Sequence, residues 1–381
     1  LYKQNTNNDL FQLIYVFDMG NNNDKALGTA FNYIEYLGTS DMTPEQLKSE
    51  FYRLACTFFV SPSNERTFVV LSGLNENMPE AMKLFEKLMA DAQVNKEAYA
   101  NLVDDILKSR KDAKLNQMQN FRRLMNYGMY GPKSPATNIL TEAELQNMNP
   151  QELIDRIHNQ NSYKHRILYY GPTSSKDLLA IINKNHQAPK ELKDIPAGEE
   201  FPRLETPTTR ILFAPYEAKQ IYMTQLSNRG EKFDPAIEPS RQMYNEYFGG
   251  GMNSIVFQEM RESRGFAYSA WAGFNEPAYK KYPYMFQTQI ATQNDKMNDA
   301  IKTFNDIINN MPESEAAFKL AKEAIIARLR TDRIIKSNVI WAYINAQDLG
   351  QNVDSRIKLY NDAQNMTLKD VIFSLRPMSL C

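Results

Sequence analysis

The chain has 381 residues, with 44 Lys and Arg against 45 Asp and Glu, 43% hydrophobic residues, three His and two Cys. A net charge of −1 provides no basic field for collecting phosphates, which argues against nucleic-acid binding. No apolar run approaches the roughly 18 residues that a membrane helix needs. Cys56 and Cys381 are too few for a disulfide framework. The composition therefore predicts a soluble protein of two domains.

The first half of the chain is predicted to alternate strands with amphipathic helices. Apolar residues at i, i+3, i+4 and i+7 indicate a helix from Met78 that is buried on one face. The predicted strands are 11–17, 56–60, 67–73 and 166–170. The predicted helices are 25–37, 44–54, the one from Met78, a long helical stretch after it, and one from about Lys176.

Residues 187–207 hold four prolines and have no regular period, which is typical of a linker. Strands are predicted beyond it at 210–214, 220–226, 267–274 and 284–291. Helices are predicted at 237–247, 253–262, 297–308 and 315–330. This order predicts an α+β fold, in which each domain is a mostly antiparallel sheet covered by helices on one side.

The two halves repeat each other weakly. The pattern of residues 33–38 returns at 244–249, and the helical stripe of residues 78–89 returns at 297–308. Order, spacing and flanking strands agree, so the chain is interpreted as two copies of one domain. The predicted boundaries are 1–190 for the first repeat, 191–208 for the linker and 209–381 for the second repeat.

One segment carries the most specific pattern. Gly249, Gly250 and Gly251 precede a helix that Asn253 or Ser254 can cap, and Gly265 is suited to the left-handed residue that ends it. Arg261 lies in the last helical turn. Tyr268 begins the next strand, seven positions later, close enough to face the same site.

This segment resembles the pitrilysin or insulinase family of zinc peptidases, in the half that follows the catalytic half. The matching positions are Gly249, Gly250 and Ser254 at the helix start, and Arg261 and Tyr268 after it. The resemblance implies that Arg261 and Tyr268 are the catalytic residues of this chain and contact the substrate backbone or the oxyanion. Read singly, each would be an ordinary surface charge or strand aromatic.

The family's zinc motif, H-x-x-E-H, is absent from the sequence. Alignment on Gly38 places Thr29, Asn32 and Tyr33 at its three functional positions. The histidines His158, His165 and His186 are scattered, the first two around a stretch expected to be flexible, and are interpreted as solvated or helix-end residues. We therefore expect no metal and no cofactor in this chain, with zinc in an N-terminal half elsewhere.

The resemblance implies a chain that is not an enzyme by itself. It would close the proteolytic chamber, bind peptide substrate and serve a catalytic half in the same polypeptide or in a separate subunit. One alternative is an inactive family member that acts as scaffold or binding subunit for an active partner, and another is a plain peptide-binding module. The abrupt ends suggest a piece of a longer protein, and the compartment stays open between periplasm and cytoplasm.

Overall fold

The computed structural model describes residues 1–372. The strands, in chain order, are β1 Tyr2–Gln4, β2 Leu10–Phe17, β3 Cys56–Pro62, β4 Thr67–Leu74, β5 Arg166–Gly171, β6 Gln220–Ser227, β7 Ala267–Asn275 and β8 Met285–Gln293. The helices are α1 Leu27–Tyr33, α2 Pro44–Arg53, α3 Met78–Asp91, α4 Lys96–Lys114, α5 Gln117–Tyr130, α6 Glu142–Asn147, α7 Gln151–Asn159, α8 Ser175–Asn185, α9 Glu238–Asn245, α10 Ile255–Phe257, α11 Met297–Asn309, α12 Glu315–Thr331, α13 Asn338–Asp348 and α14 Ser355–Asn365.

The chain folds into two compact units. The first comprises Leu1–Asn116, Pro132–Phe201 and Ile335–Ile340, and the second comprises Gln117–Gly131, Pro202–Ile334 and, among the described residues, 341–372. Helix α5 therefore belongs to the second unit although it lies within the first half of the sequence.

The first unit is built on a five-stranded sheet in the order β1-β5-β2-β4-β3. Strand β1 runs parallel to β5, and every other neighbouring pair is antiparallel. On β2 the alternate residues Phe11, Leu13, Tyr15 and Phe17 join the helical core, as the period of two in a strand requires. Each large side chain buried in this way contributes about 1.5–3 kcal/mol.

The second unit has a three-stranded antiparallel sheet in the order β6-β8-β7. Its core brings Phe286 of β8 together with Tyr244 of α9, Phe304 of α11 and Phe318 of α12. Helix α5 packs on β6, where the rings of Phe121 and Tyr222 lie 5.7 Å apart.

The predicted fold class is confirmed, since both units combine helices with mostly antiparallel sheets. The helical stripe of α3 is buried, with Met78, Met82 and Phe85 at most 1% exposed. Helix α1 is shorter than the predicted 25–37 and continues only as a 3-10 turn, Ile34–Tyr36.

The strand predicted at 210–214 is wrong. That stretch has no regular structure, and Ile211 and Phe213 are 91% and 80% exposed. An apolar, β-branched run forms a strand only when a neighbouring strand accepts its hydrogen bonds and its side chains are covered. No other strand of residues 1–372 pairs with this stretch.

The region predicted as linker is anchored in part, because the amide of Lys193 donates to the carbonyl of Ser162 and Phe201 is buried.

Among residues 1–372, no helix is long and apolar enough to cross a bilayer.

Candidate functional site

The segment that links α9 to β7 holds the residues singled out by sequence. After α9 the chain makes a π-helical turn at Glu246–Gly250, passes through α10, and makes a second π-helical turn at Gln258–Ser263. The hydroxyl oxygen of Ser254 accepts a hydrogen bond from the backbone amide of Phe257 at 3.4 Å, so Ser254 caps α10. Gly265 has φ +59°, the left-handed conformation that ends a helix at low cost for glycine.

The glycine at 249 is required by close packing. A Cβ atom built there would lie 2.1 Å from the carbonyl oxygen of Ala272 on β7. The reason for a glycine at this position is therefore steric. Because the missing side chain lets the turn touch β7, Gly249 fixes the distance between the π-helical turn and the strand that carries Tyr268.

Arg261 and Tyr268 lie side by side at the surface of the second unit. The guanidinium carbon of Arg261 is 5.9 Å from the centre of the Tyr268 ring and 4.9 Å from that of Phe257. The Arg261 side chain is 47% exposed and Tyr268 is 80% exposed. The pair is thus assembled as the spacing predicted, with its polar ends available to solvent.

A β-bulge presents Tyr268. On β7, Ala267 pairs with Thr292 and Ser269 with Ala291, which leaves Tyr268 without a partner residue on β8. Bulges redirect side chains and often occur beside functional sites. Near its start, the strand therefore holds Tyr268 outside the regular pairing with β8.

The charges around the pair are mixed. Glu262 lies 3.7 Å from the Arg261 Nε, and Glu259 lies 3.6 Å from Arg264. Glu259 and Arg264 line a polar depression of about 500 Å³ that also includes Asp299, Lys302 and Asp306, but neither Arg261 nor Tyr268 lines it. The depression and the Arg261–Tyr268 pair are thus separate features of the second unit.

Helix α1 occupies the position that the family's zinc motif would have in this sequence. Thr29 is half-buried, Asn32 is exposed, and Tyr33 is buried with its hydroxyl 2.6 Å from the carbonyl oxygen of Asn95. None of these groups is a usual zinc ligand, so the residues do not fit the ion. Within residues 1–372 there is also no cluster of three or more His, Cys, Asp or Glu side chains arranged to hold a metal.

Comparison with known families explains this combination of features. Residues 166–325 match the family model described as the peptidase M16 inactive domain. This stretch of the chain is similar to M16 inactive domains. M16 is the pitrilysin family of zinc peptidases, so the resemblance stated from the sequence is confirmed. An uncharacterised zinc protease of Rickettsia felis is 23% identical over 344 residues, which covers 87% of this chain and 78% of that protein.

Two solved structures share the fold of this chain. The peptidase M16 inactive domain from Pseudomonas fluorescens matches with a TM-score of 0.70 at 16% identity, over 99% of this chain and 91% of that one. The periplasmic protease PqqL from Escherichia coli matches with a TM-score of 0.75 at 14% identity, over 96% of this chain but only 41% of its own. At these identities the likeness shows the fold alone.

Sequence reasoning missed two buried polar clusters. In the second unit, Arg241 and Glu238 form a buried ion pair on α9. In the first unit, Glu86 is 1% exposed and contacts His186. A signal for the second was available, because Glu86 lies four residues after Met82 and three before Met89, on the apolar stripe of α3. The expected flexible stretch next to it is wrong in part, since Gln160 and Asn161 are buried.

Proposed function

We propose that this chain is the non-catalytic half of a zinc endopeptidase. In this role it closes the proteolytic chamber, binds extended peptide, and presents Arg261 and Tyr268 to the peptide carbonyl under attack. The observation that carries the proposal is the pair itself: two exposed hydrogen-bond donors lie against each other at the junction of a helix and a bulged strand.

The chemistry of the pair suits a developing negative charge. A guanidinium is always charged and offers several N–H donors, and a phenol offers one O–H donor. Donors that are fixed before the reaction stabilise an oxyanion without reorganising, and removing one typically costs about 10²–10³ in rate. The packing of Gly249 on β7 and the cap at Ser254 hold the segment that carries both donors.

The zinc belongs to a catalytic half, either in the same polypeptide or in a separate subunit. The poor fit at Thr29, Asn32 and Tyr33 supports this assignment, as does the likeness to a zinc protease. We also propose that residues 1–190 and 209–381 are successive repeats of one domain. The shared connection of strands and helices in the two units supports that proposal.

The test replaces Arg261 with Ala and Tyr268 with Phe in the polypeptide or complex that includes the catalytic half. Each change should lower kcat/KM for a fluorogenic peptide about 10²–10³-fold with little change in Tm, because both side chains are largely exposed. The matched controls are Arg264→Ala, three residues further on, and Tyr52→Phe, an 88% exposed tyrosine.

Hydrolysis at a near wild-type rate in both variants would contradict the catalytic role of the pair. If no catalytic half cleaves peptide together with this chain, the result would favour the scaffold function over a role in catalysis. Loss of activity in the control variants as well would show a general effect of surface charge or aromatic content.

A further inference from the structure

Glu86 of α3 is the centre of a buried polar cluster in the first unit. Its Oε1 lies 2.8 Å from the hydroxyl of Tyr15 and 2.6 Å from Nδ1 of His186. Its Oε2 accepts the side-chain amide of Asn161 at 3.0 Å and the backbone amide of Gln187 at 3.2 Å. Two partners on each oxygen fill the acceptor sites of an ionised carboxylate, so Glu86 carries a negative charge.

His186 continues this cluster to a second histidine. Its Nε2 lies 2.9 Å from Nε2 of His165, and Nδ1 of His165 lies 2.7 Å from the carbonyl oxygen of Tyr163. The two imidazole rings meet edge to face, with centroids 5.0 Å apart. Three hydrogen bonds thus run in series from Glu86 through both rings to the backbone.

These three bonds require three protons on the two rings. The carboxylate and the carbonyl can only accept, so both Nδ1 atoms must carry a proton, and the contact between the Nε2 atoms needs one more. Two neutral imidazoles carry only two protons. The pair therefore holds one positive charge, which balances the negative charge of Glu86. Burial lowers the pKa of His165, which disfavours a second proton on the pair.

We propose that this singly protonated pair of His165 and His186 is an acid-sensitive latch that holds the segment from Gln187 to Lys193 on the first unit. A second proton on the pair would occupy Nε2 of His165 and face the N–H of His186. Two donors cannot bond to each other, so acidification separates the rings and withdraws His186 from Glu86.

The latched segment follows α8 directly. The backbone amide of Gln187 donates to Glu86. The backbone amide of Lys193 donates to the carbonyl of Ser162, and the carbonyl of Lys193 accepts from the backbone amide of Lys164. Between these points the chain borders a depression of about 330 Å³ that includes Met89, His158, Asn161, Gln187, Ala188 and Pro189. Opening of the latch would free the first of these two attachments.

Two further titratable groups face the pair from neighbouring elements. Glu86 approaches from α3 and Tyr15 from β2, and the ring of Phe17 lies 5.1 Å from that of His165. Burial and the neighbouring Glu86 raise the pKa of Tyr15 well above its ordinary value, so its hydroxyl stays neutral.

The direction of the pH effect follows from proton binding. In the unfolded chain, both histidines bind a proton as the pH falls through about 6.5. In the folded chain, the pair keeps a single proton. The unfolded state therefore binds more protons as the pH falls below about 6.5, and the excess approaches one proton roughly one pH unit lower. There the unfolding equilibrium constant rises by up to about tenfold for each further pH unit of acidification.

The first experiment measures urea unfolding of the full chain between pH 6.5 and 5.5, for the wild type, His165→Gln and His158→Gln. The unfolding equilibrium constant of the wild type should rise about threefold across this interval, and that of His158→Gln should match it. His165→Gln should have a much flatter profile, since it lacks the site for the second proton. A slope in His165→Gln equal to that of the wild type overturns the proposal.

Two measurements on the wild type keep the idea testable if His165→Gln does not fold. Selective ¹⁵N labelling of the three histidines should show one ring with both nitrogens protonated at pH 6.5, and two neutral rings for the pair overturn the proposal. Hydrogen exchange of the 187–193 segment, corrected for intrinsic rate, should increase at pH 5.5, and unchanged protection also overturns it.

A metal-binding role for the pair is the competing explanation. Zinc binds histidine nitrogen at about 2.0–2.1 Å through a lone pair, which both Nε2 atoms would then have to supply. Addition of Zn²⁺ should leave the Tm of the wild type unchanged. A rise in Tm that His165→Gln abolishes would assign the pair to a metal site and overturn the latch.

Discussion

Single atoms determine how the segment with Arg261 and Tyr268 is held. The Cα of Gly249 lies so near the backbone of Ala272 that no side chain fits between them, whereas a Cβ at Gly251 would lie 3.1 Å from the side-chain carboxylate of Glu246. The two glycines are close neighbours in sequence, yet only the first is required by a backbone contact.

Gly249→Ala should therefore destabilise the second unit. Overpacking of this kind typically costs about 1–3 kcal/mol, and the contact with a carbonyl oxygen leaves no flexible atom to move away. Gly251→Ala is the matched control and should have a small effect. Urea unfolding measures both. Equal stability of the two variants would show that the turn relaxes freely.

At the scale of elements, α9 is joined to β7 by polar contacts inside the core. Asn245 exchanges two hydrogen bonds with the backbone of Phe274, and Arg241 donates to the same carbonyl at 2.9 Å. Arg241 also binds Glu238 through two nitrogens, and Tyr284 donates to that carboxylate at 2.5 Å. The cluster places α9, and hence the turn after it, on the sheet.

Arg241→Ala should be strongly destabilising, by about 3–5 kcal/mol, because it leaves the buried carboxylate of Glu238 without its counter-ion. The control is Arg328→Ala, which removes a 48% exposed partner of Glu246 and should change the free energy of unfolding by about 1 kcal/mol or less. Chemical denaturation distinguishes them. Similar costs for both variants would contradict the argument from burial.

At the scale of the whole molecule, the two units repeat one order of elements. Strands β2, β3 and β4 of the first unit pair in the order β2-β4-β3, and β6, β7 and β8 of the second pair in the order β6-β8-β7. In both units two helices or more separate the first of these strands from the second. Helix α5 breaks the simple division, because its residues lie in the first half and pack in the second unit.

A cut after Phe201 should consequently harm the second fragment. Residues 202–381 would lack α5, and the surface around Tyr222 that Phe121 covers would be exposed. This fragment should bind the dye ANS more strongly than the full chain does, and a synthetic peptide of residues 117–131 should reduce the binding. A fragment that binds no dye and unfolds cooperatively without the peptide would contradict the prediction.

Much of the fold was predictable from the sequence because its strongest signals are local. The stripe of α3 reports which side of the helix is buried, and it is confirmed. The strand predicted at 11–17 is also present, as part of β2. Strand formation at 210–214 could not be predicted reliably, since it depends on a neighbour that the local pattern does not specify.

The sequence by itself determined the family, the fold class, a helix cap at Asn253 or Ser254, the left-handed glycine and the spacing that joins Arg261 to Tyr268. Only the tertiary structure decided that Gly249 is required by close packing and that α5 belongs to the second unit. It also decided that Glu86 contacts His186, which in turn contacts His165. The physical reason is range: caps, stripes and turns depend on residues a few positions apart. A buried carboxylate obtains its partners from strands and helices that lie far apart in the chain and meet only when it folds.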